Sequence, residues 1–313
     1  MKNPKISLVV CSNRENQKYQ NIWNRLRLDL SQIHIILLTQ GKANHKQDRS
    51  HNVIHIRLES IGRSRAINSG LRIVKTGYIG LTDDDCIIDE KWLTQAVKTL
   101  DNYSFDLVYG QTKPYLPNKH IGQFCPSTFS KISNVVSVTN NIGKHWENVG
   151  FDNNAVIKKR VFDNIGGYKW WLGPGSIIPA GEDAEFILRA QIARYKIAYN
   201  PKMIVYHNKW LNTSENKKLM LNYELGGLTV YGFYGLQGVK ECSEIMFEFI
   251  YQFIYRIKFD IKQIVKQPYK IISSVKEIML NVFFLSKGLI VAFIFARITP
   301  IPSSEDVVRR FYR

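Results

Sequence analysis

The feature that most constrains this chain is an alternation of short apolar runs with helical patterns. Ile6–Val10, Ile33–Leu38, Val53–Ile56, Tyr78–Leu81 and Asp106–Tyr109 have the length and composition of strands. A helical pattern through Ile22, Leu26 and Leu28 separates the first two. Another carries Ile67, Leu71 and Val74 over Arg63–Lys75 and closes at Thr76-Gly77. A third carries Trp92, Leu93, Ala96, Val97 and Leu100 behind Asp89, a candidate N-cap. Strands alternating with helices predict an α/β fold, an open and mostly parallel sheet flanked by helices. In such sheets ligands sit beyond the carboxyl ends of the strands. Residues 111–150 are rich in polar and turn residues and predict a long excursion. A Gly-rich stretch, a helix over Ala184–Ala193 and a strand ending at His207 follow.

Two acidic elements fall where that fold collects ligands. Tyr78–Leu81 runs into Asp83-Asp84-Asp85. Three adjacent carboxylates repel one another, and each disfavours ionisation of the next. They suit a solvated turn or a hard divalent cation, which takes oxygen ligands and shares them with phosphates. The apolar run immediately upstream favours the cation. Gly181-Glu182-Asp183 opens the later helix. Acids in a first turn complement the helix dipole, and a carboxylate there can also serve as a general base. His207 is either a polar strand end or a third metal ligand, if it converges on Asp85.

Charge and cysteine usage narrow the class. The 313-residue chain is 45% apolar and 22% charged, which excludes a mainly disordered protein. Its four cysteines form no CxxC, so neither a disulfide framework nor a zinc ribbon is expected. Met1–Lys5 leads straight into a strand-like run without a signal peptide, an expectation of a reducing, cytoplasmic setting. The net charge of +17 draws the chain to phosphates of nucleotides, nucleic acid or anionic lipid. Between Tyr251 and Lys276, Arg256, Lys258, Lys262, Lys266, Lys270 and Lys276 face one acid, Asp260, amid Phe, Ile and Tyr. That pattern suits an anionic membrane surface better than a specific nucleic acid. Ile278–Ala296 is strongly apolar but interrupted by Asn281, Lys287 and Gly288, as expected of a helix lying in the interface, peripheral on the cytoplasmic face. An ordinary helical lid is the alternative. The change of composition near Gly238 predicts two parts, 1–238 and 239–313.

The ordered motifs resemble those of the family 2 glycosyltransferases with the GT-A fold. They are Val9–Arg14, Ser64–Gly70, Leu81–Asp85, Asn154–Lys159, Gly166-Gly167-Tyr168, Gly173-Pro174-Gly175, Gly181–Phe186, Arg189 and the strand ending in His207. The resemblance spans roughly residues 5–210 and implies a GT-A, Rossmann-like sheet and a metal-dependent transferase using a nucleotide-sugar donor. It places Asp83 and Asp85 on the DxD motif, with Asp85 holding Mn²⁺ or Mg²⁺ and Asp83 the ribose side, Asp84 close by. His207 would be a further metal ligand. Ser12, Asn13, Arg14 and Glu15 would border the base, and Arg65 and Asn68 would face the nucleotide. Asp183 matches the catalytic base and Glu182 its neighbour; Trp171, Gly173 and Gly175 would frame the sugar and acceptor.

The chain departs from the family where an Asp-containing turn usually helps read uracil, since Thr39-Gln40-Gly41 stands there, and Cys11-Ser12 replaces the commoner residues after the first strand. UDP is therefore only the default nucleotide. No QxxRW signature of processive synthases occurs, so one sugar per cycle is expected, moved with inversion to a saccharide or lipid-linked saccharide hydroxyl in surface-glycan synthesis. A sugar-nucleotide pyrophosphorylase would need a Gly-rich phosphate loop, and Cys11–Glu15 has no Gly. A non-catalytic basic membrane or nucleic-acid-binding protein would leave both acidic elements idle.

Overall fold

The computed structural model describes residues 6–12, 33–41, 49–50, 52–131, 134–138, 149–267, 269 and 271–299. The helix expected through Ile22–Leu28 lies outside them, as do Asn13, Arg14 and Glu15. Two compact units emerge: the described residues of Met1–Ile177 with Glu182–Leu219, and those of Ile178–Gly181 with Met220–Arg313.

The first unit holds one sheet. Its strands are β1 (Ile6–Ser12), β2 (Ile33–Gln40), β3 (Arg49–Ser50), β4 (Val53–Leu58), β5 (Tyr78–Asp83), β6 (Cys86–Ile88), β7 (Leu107–Pro114), β8 (Val136–Ser137), β9 (Ala155–Lys158) and β10 (Ile197–His207). They lie in the order β3-β4-β2-β1-β5-β9-β7-β10-β6, with β8 beside β10. The run β4-β2-β1-β5 is parallel, as the alternation of apolar runs predicts. β9 is reversed between β5 and β7. β7 therefore points the same way as β5, and β10 runs parallel to β7. The carboxyl ends of β1, β5, β7 and β10 share one edge with the amino ends of β9 and β6. No periodicity in the sequence marks β9, which is only four residues long.

Both faces of the sheet are covered, which explains why its strands are apolar throughout. Val9, Ile36 and Leu38 face Ala66 and Ile67 of α1 (Arg63–Leu71), together with Phe162 of α3 (Lys159–Ile165) and Phe186 of α4 (Glu182–Ile192). Ile6, Leu8 and Val10, alternating with Val9, join Trp92, Ala96 and Leu100 of α2 (Trp92–Asn102) on the other face. Gly70 lets α1 approach closely, since a Cβ there would meet Leu38 at 2.8 Å and Val9 at 3.1 Å. α2 begins at Trp92 with Lys91 as its cap residue; Asp89 instead accepts the Lys91 N–H at 3.0 Å in the turn before it. The 111–150 excursion starts later than expected, because β7 continues to Pro114.

The second unit is helical. It takes in α5 (Thr213–Gly235) from Met220 onward, α6 (Lys240–Lys266) and α7 (Ile271–Ile298). Its start lies upstream of the compositional change at Gly238. The reason is packing: Leu225 and Leu228 of α5 lie against Gly288 of α7, and Gly232 lies against Ala292.

A buried amide ties the centre of the sheet together. Trp92 Nε1 donates to Asn154 Oδ1 at 2.8 Å, and Asn154 Nδ2 donates to the carbonyls of Gln111 and Met203, each at 2.9 Å. Asn154→Ala would strand three buried polar groups, so stability should fall by about 3 kcal/mol or more in urea unfolding. An unchanged midpoint would show that these groups find other partners.

Candidate active site

The carboxyl edge gathers most of the acidic residues singled out above. Cys11 of β1 stands beside Asp83 of β5 in register. Ser12 Oγ donates to Asp84 Oδ2 at 2.6 Å, so the middle aspartate is tied back to β1. Its neighbours are left to face the edge. Asp85 Oδ1 lies 3.1 Å from Nε2 of His207, whose strand end pairs with the start of β6 at Cys86. Asp83, Asp85, Cys86 and His207 offer ligand atoms within 4.8 Å of one another.

The chemistry of this cluster fits a hard divalent cation. The Pro126 carbonyl accepts from His207 Nδ1 at 2.7 Å, which fixes the ring and commits Nε2 to the carboxylates. Burial opposes charge on the His207 ring, but Asp85, Cys125 and Asp83 together lift it to about 10. Cys86 is a bystander: burial, then Asp83 and Asp85, push its thiol well above its usual value, so it is held neutral.

Arg63 is the organising cation, and the reading of the sequence did not single it out. Its Nε and Nη2 donate to Asp83 Oδ1 at 3.3 and 3.1 Å, and its Nη1 donates to Glu182 Oε1 at 3.2 Å. Burial alone would depress the guanidinium, but Asp83, Glu182 and Asp152 hold it charged well above its ordinary value. Arg65, two residues on, is exposed and lies over Trp170, 4.8 Å from the ring centre. Asn68 bonds the Tyr168 backbone in both directions at 2.8 Å, bracing the 166–168 loop.

Asp152 is the other residue the sequence did not disclose. Its 3₁₀ turn precedes the reversed β9 and so delivers it to this edge. It is 1% exposed and accepts from the Tyr168 hydroxyl at 2.5 Å. The buried Tyr109 hydroxyl faces the same carboxyl. Burial, then the charge of Asp183, lift its carboxyl to about 7 against the pull of Arg63.

The later acidic pair starts α4. Burial, then Asp183, push Glu182 up to about 8 against the pull of Arg63. Asp183 is half-buried; its carboxyl is raised by burial and lowered by the Ala184 N–H, which Oδ1 accepts at 2.8 Å. Gly173, at φ +96°, stands where a Cβ would meet the Glu182 carboxyl carbon at 2.9 Å. Gly175, at φ +79°, would likewise strike Ile61 at 2.9 Å. Ser64 Oγ donates to the Leu172 carbonyl at 2.7 Å and the Arg63 N–H donates to that of Pro174 at 2.9 Å, docking this segment on α1. Trp171 is 1% exposed and belongs to the interior, whereas Trp170 is 44% exposed. The Thr39-Gln40-Gly41 turn is engaged too. Thr39 pairs with His55 at 2.8 Å, and Gln40 Nε2 donates to the Gly62 carbonyl at 2.8 Å.

Removing Arg63 would leave Asp83 and Glu182 facing each other without their cation. Arg63→Ala should therefore cost about 3–5 kcal/mol in urea unfolding, and adding Glu182→Gln should recover part of the loss. A single variant as stable as the parent would show that the guanidinium is dispensable.

Comparison with known proteins agrees with this architecture. No curated protein sequence matches the chain. Crystal structures of Staphylococcus aureus TarS share its fold. TarS 1–349 has a TM-score of 0.50 at 15% identity, covering 89% of this chain and 81% of that one. TarS 1–349 in complex with UDP-GlcNAc has a TM-score of 0.51 at 15% identity, covering 79% and 71%. Against a longer TarS chain the TM-score is 0.48 at 14% identity, and this protein covers 40% of that chain. The sequence model described as glycosyl transferase family 2 matches residues 9–172, just over half of the chain, a range that includes Arg63, Asp83–Asp85 and Asp152 but stops short of Asp183 and His207. The protein belongs to glycosyl transferase family 2 and is a glycosyltransferase.

Proposed function

We propose that the protein moves one sugar per cycle from a nucleotide-sugar donor to a hydroxyl of a saccharide or lipid-linked saccharide, with inversion at the anomeric carbon. The observation that carries the reading is the junction made by Arg63, which links the Asp83 end of β5 to Glu182 beside Asp183. A donor-binding motif and a candidate base thereby share one edge of the sheet. A UDP-sugar is the working donor, since the TarS structure of the same fold was crystallised with UDP-GlcNAc.

In this reading Asp83, Asp85 and His207 hold Mn²⁺ or Mg²⁺. A divalent cation there supplies positive charge against the departing diphosphate. Ser12 and Asp84 flank the nucleotide, and Arg63 shares with Arg65 and Asn68 the nucleotide-facing role expected of their helix. Gly173, Gly175 and Glu182 shape the sugar side, with Trp171 behind them. Asp183 receives the proton of the acceptor hydroxyl. Its Oδ1 already accepts the Ala184 N–H, which leaves Oδ2 for the task. Burial raises its proton affinity, which suits a base working near neutral pH. The basic C-terminal helices attach the enzyme peripherally to the cytoplasmic face of an anionic membrane, where a lipid-linked acceptor would lie.

Asp183→Asn should lower transfer by about 10²–10⁴-fold while leaving nucleotide binding intact. Turnover near the parent level would overturn the assignment of the base. Asp85→Ala should abolish the Mn²⁺-dependent part of the thermal shift given by nucleoside diphosphates. A full Mn²⁺-dependent shift in that variant would place the cation elsewhere.

A further inference from the structure

The second unit presents an apolar face that folding leaves uncovered. Along α7, Ile272, Met279, Phe283, Ile290, Phe293 and Ile298 are each more than half exposed. At about 100° per residue they fall within roughly 140° of the helix surface, on one side. Lys287, half-buried, lies on that side between Phe283 and Ile290, and the exposed charges there are confined to its ends, at Lys276 and Arg297. The interval between these two is about 32 Å at 1.5 Å per residue. A strip of that length and helical width has a projected area on the order of 300 Å², comparable with the largest apolar patch of an ordinary monomer, which is often functional. The opposite side of α7 is occupied within the same unit: a Cβ on Gly288 would meet Leu228 at 2.7 Å, and Ala292 lies against Gly232.

α6, which packs along α7, has a different exposed surface. Tyr251 and Tyr255 are stacked one turn apart with ring centres 6.4 Å apart. Exposed Lys258, Lys262 and Lys266 continue at four-residue steps. Tyrosine and lysine favour the headgroup level of a bilayer, whereas the strip on α7 favours the acyl boundary.

We infer that the α6–α7 hairpin docks in the plane of an anionic phospholipid bilayer, with the exposed strip of α7 embedded and the α6 lysines among the headgroups. This rests on the membrane attachment proposed above and adds its surface and orientation. A crossing orientation is disfavoured because α6 would carry Lys258, Asp260 and Lys262 into hydrocarbon beside α7, at about 2.5–3.5 kcal/mol for each charge near the centre. A second copy of the chain is disfavoured as the occupant, because like-charged lysines and arginines would border such an interface. An anionic bilayer supplies the opposite charge.

The test uses the full chain and vesicles of phosphatidylcholine with or without 30% phosphatidylglycerol. The parent should float with the anionic vesicles, and high salt should weaken binding. Phe283→Glu with Phe293→Glu should weaken it at least tenfold, with an unchanged far-UV spectrum and an unchanged nucleotide-dependent thermal shift. Replacing Lys258, Lys262 and Lys266 by Glu should remove the preference for phosphatidylglycerol. Flotation of the Phe283/Phe293 double variant at the parent level would overturn the docking surface. Failure of the parent to float, with lipid-free dimers that the double variant abolishes, would overturn membrane attachment itself in favour of self-association. Orientation is read separately, from an impermeant maleimide on vesicle-bound Ser273→Cys and Thr299→Cys, both off the embedded strip, with the labelling of the parent's own cysteines subtracted. In-plane docking makes both sites reactive from outside; protection of one end alone would overturn the orientation and leave attachment standing.

Discussion

A single guanidinium among carboxylates is the constraint on which the site depends. Asp83 and Glu182 are 99 positions apart in sequence, yet each is within 3.3 Å of Arg63. Neither acid is fully exposed, and Asp152 adds a third buried carboxyl to the same field. Truncating one partner of a buried ion pair leaves an uncompensated charge, so such arrangements tolerate little change in geometry. The backbone is shaped accordingly. Gly62, at φ +129°, precedes Arg63, and Gly173 leaves room for the Glu182 carboxyl.

How much of this was legible in the sequence depends on the range of the interactions involved. The parallel run β4-β2-β1-β5 follows from apolar segments flanked by turns, because strands buried on both faces need uninterrupted apolar sequence. The convergence of Asp85 and His207 follows from strand ends meeting at one edge. Arg63 was within reach of the same reasoning. It lies four residues before Ile67, on the buried stripe of α1, whereas Arg65 is turned about 200° away. Of that pair the motif singled out Arg65, and the ion pairs with Asp83 and Glu182 fall to Arg63. Asp152 was beyond such reasoning, since only the reversal of β9 brings its amino end to the edge where the other strands finish. The helical unit shows the same division: two helices follow from periodicity, but the burial of the second half of α5 with α7 depends on contacts between residues about sixty positions apart.

The protonation pattern of the edge also has a structural origin. Glu182 and Asp152 are pushed up to about 8 and about 7, chiefly by burial and by Asp183 beside them. One arginine cannot offset every carboxylate near it, so Glu182 and Asp152 hold a proton more readily than ordinary carboxyls do. The edge thereby combines a region rich in protons around Glu182 and Asp152 with a ligand set at Asp83, Asp85 and His207 that suits a cation. That separation lets neighbouring acids of the same chemical type take different tasks.

The carbonyl of Pro126, hydrogen-bonded to His207, belongs to the segment between β7 and β8 rather than to a regular element. The orientation of the His207 ring is thus set by a stretch of chain that surface variation would be expected to remodel freely. Any lineage that reshaped this stretch would also shift how the imidazole faces Asp85, so loop shape and the geometry of the acidic edge would drift together rather than evolve as independent traits.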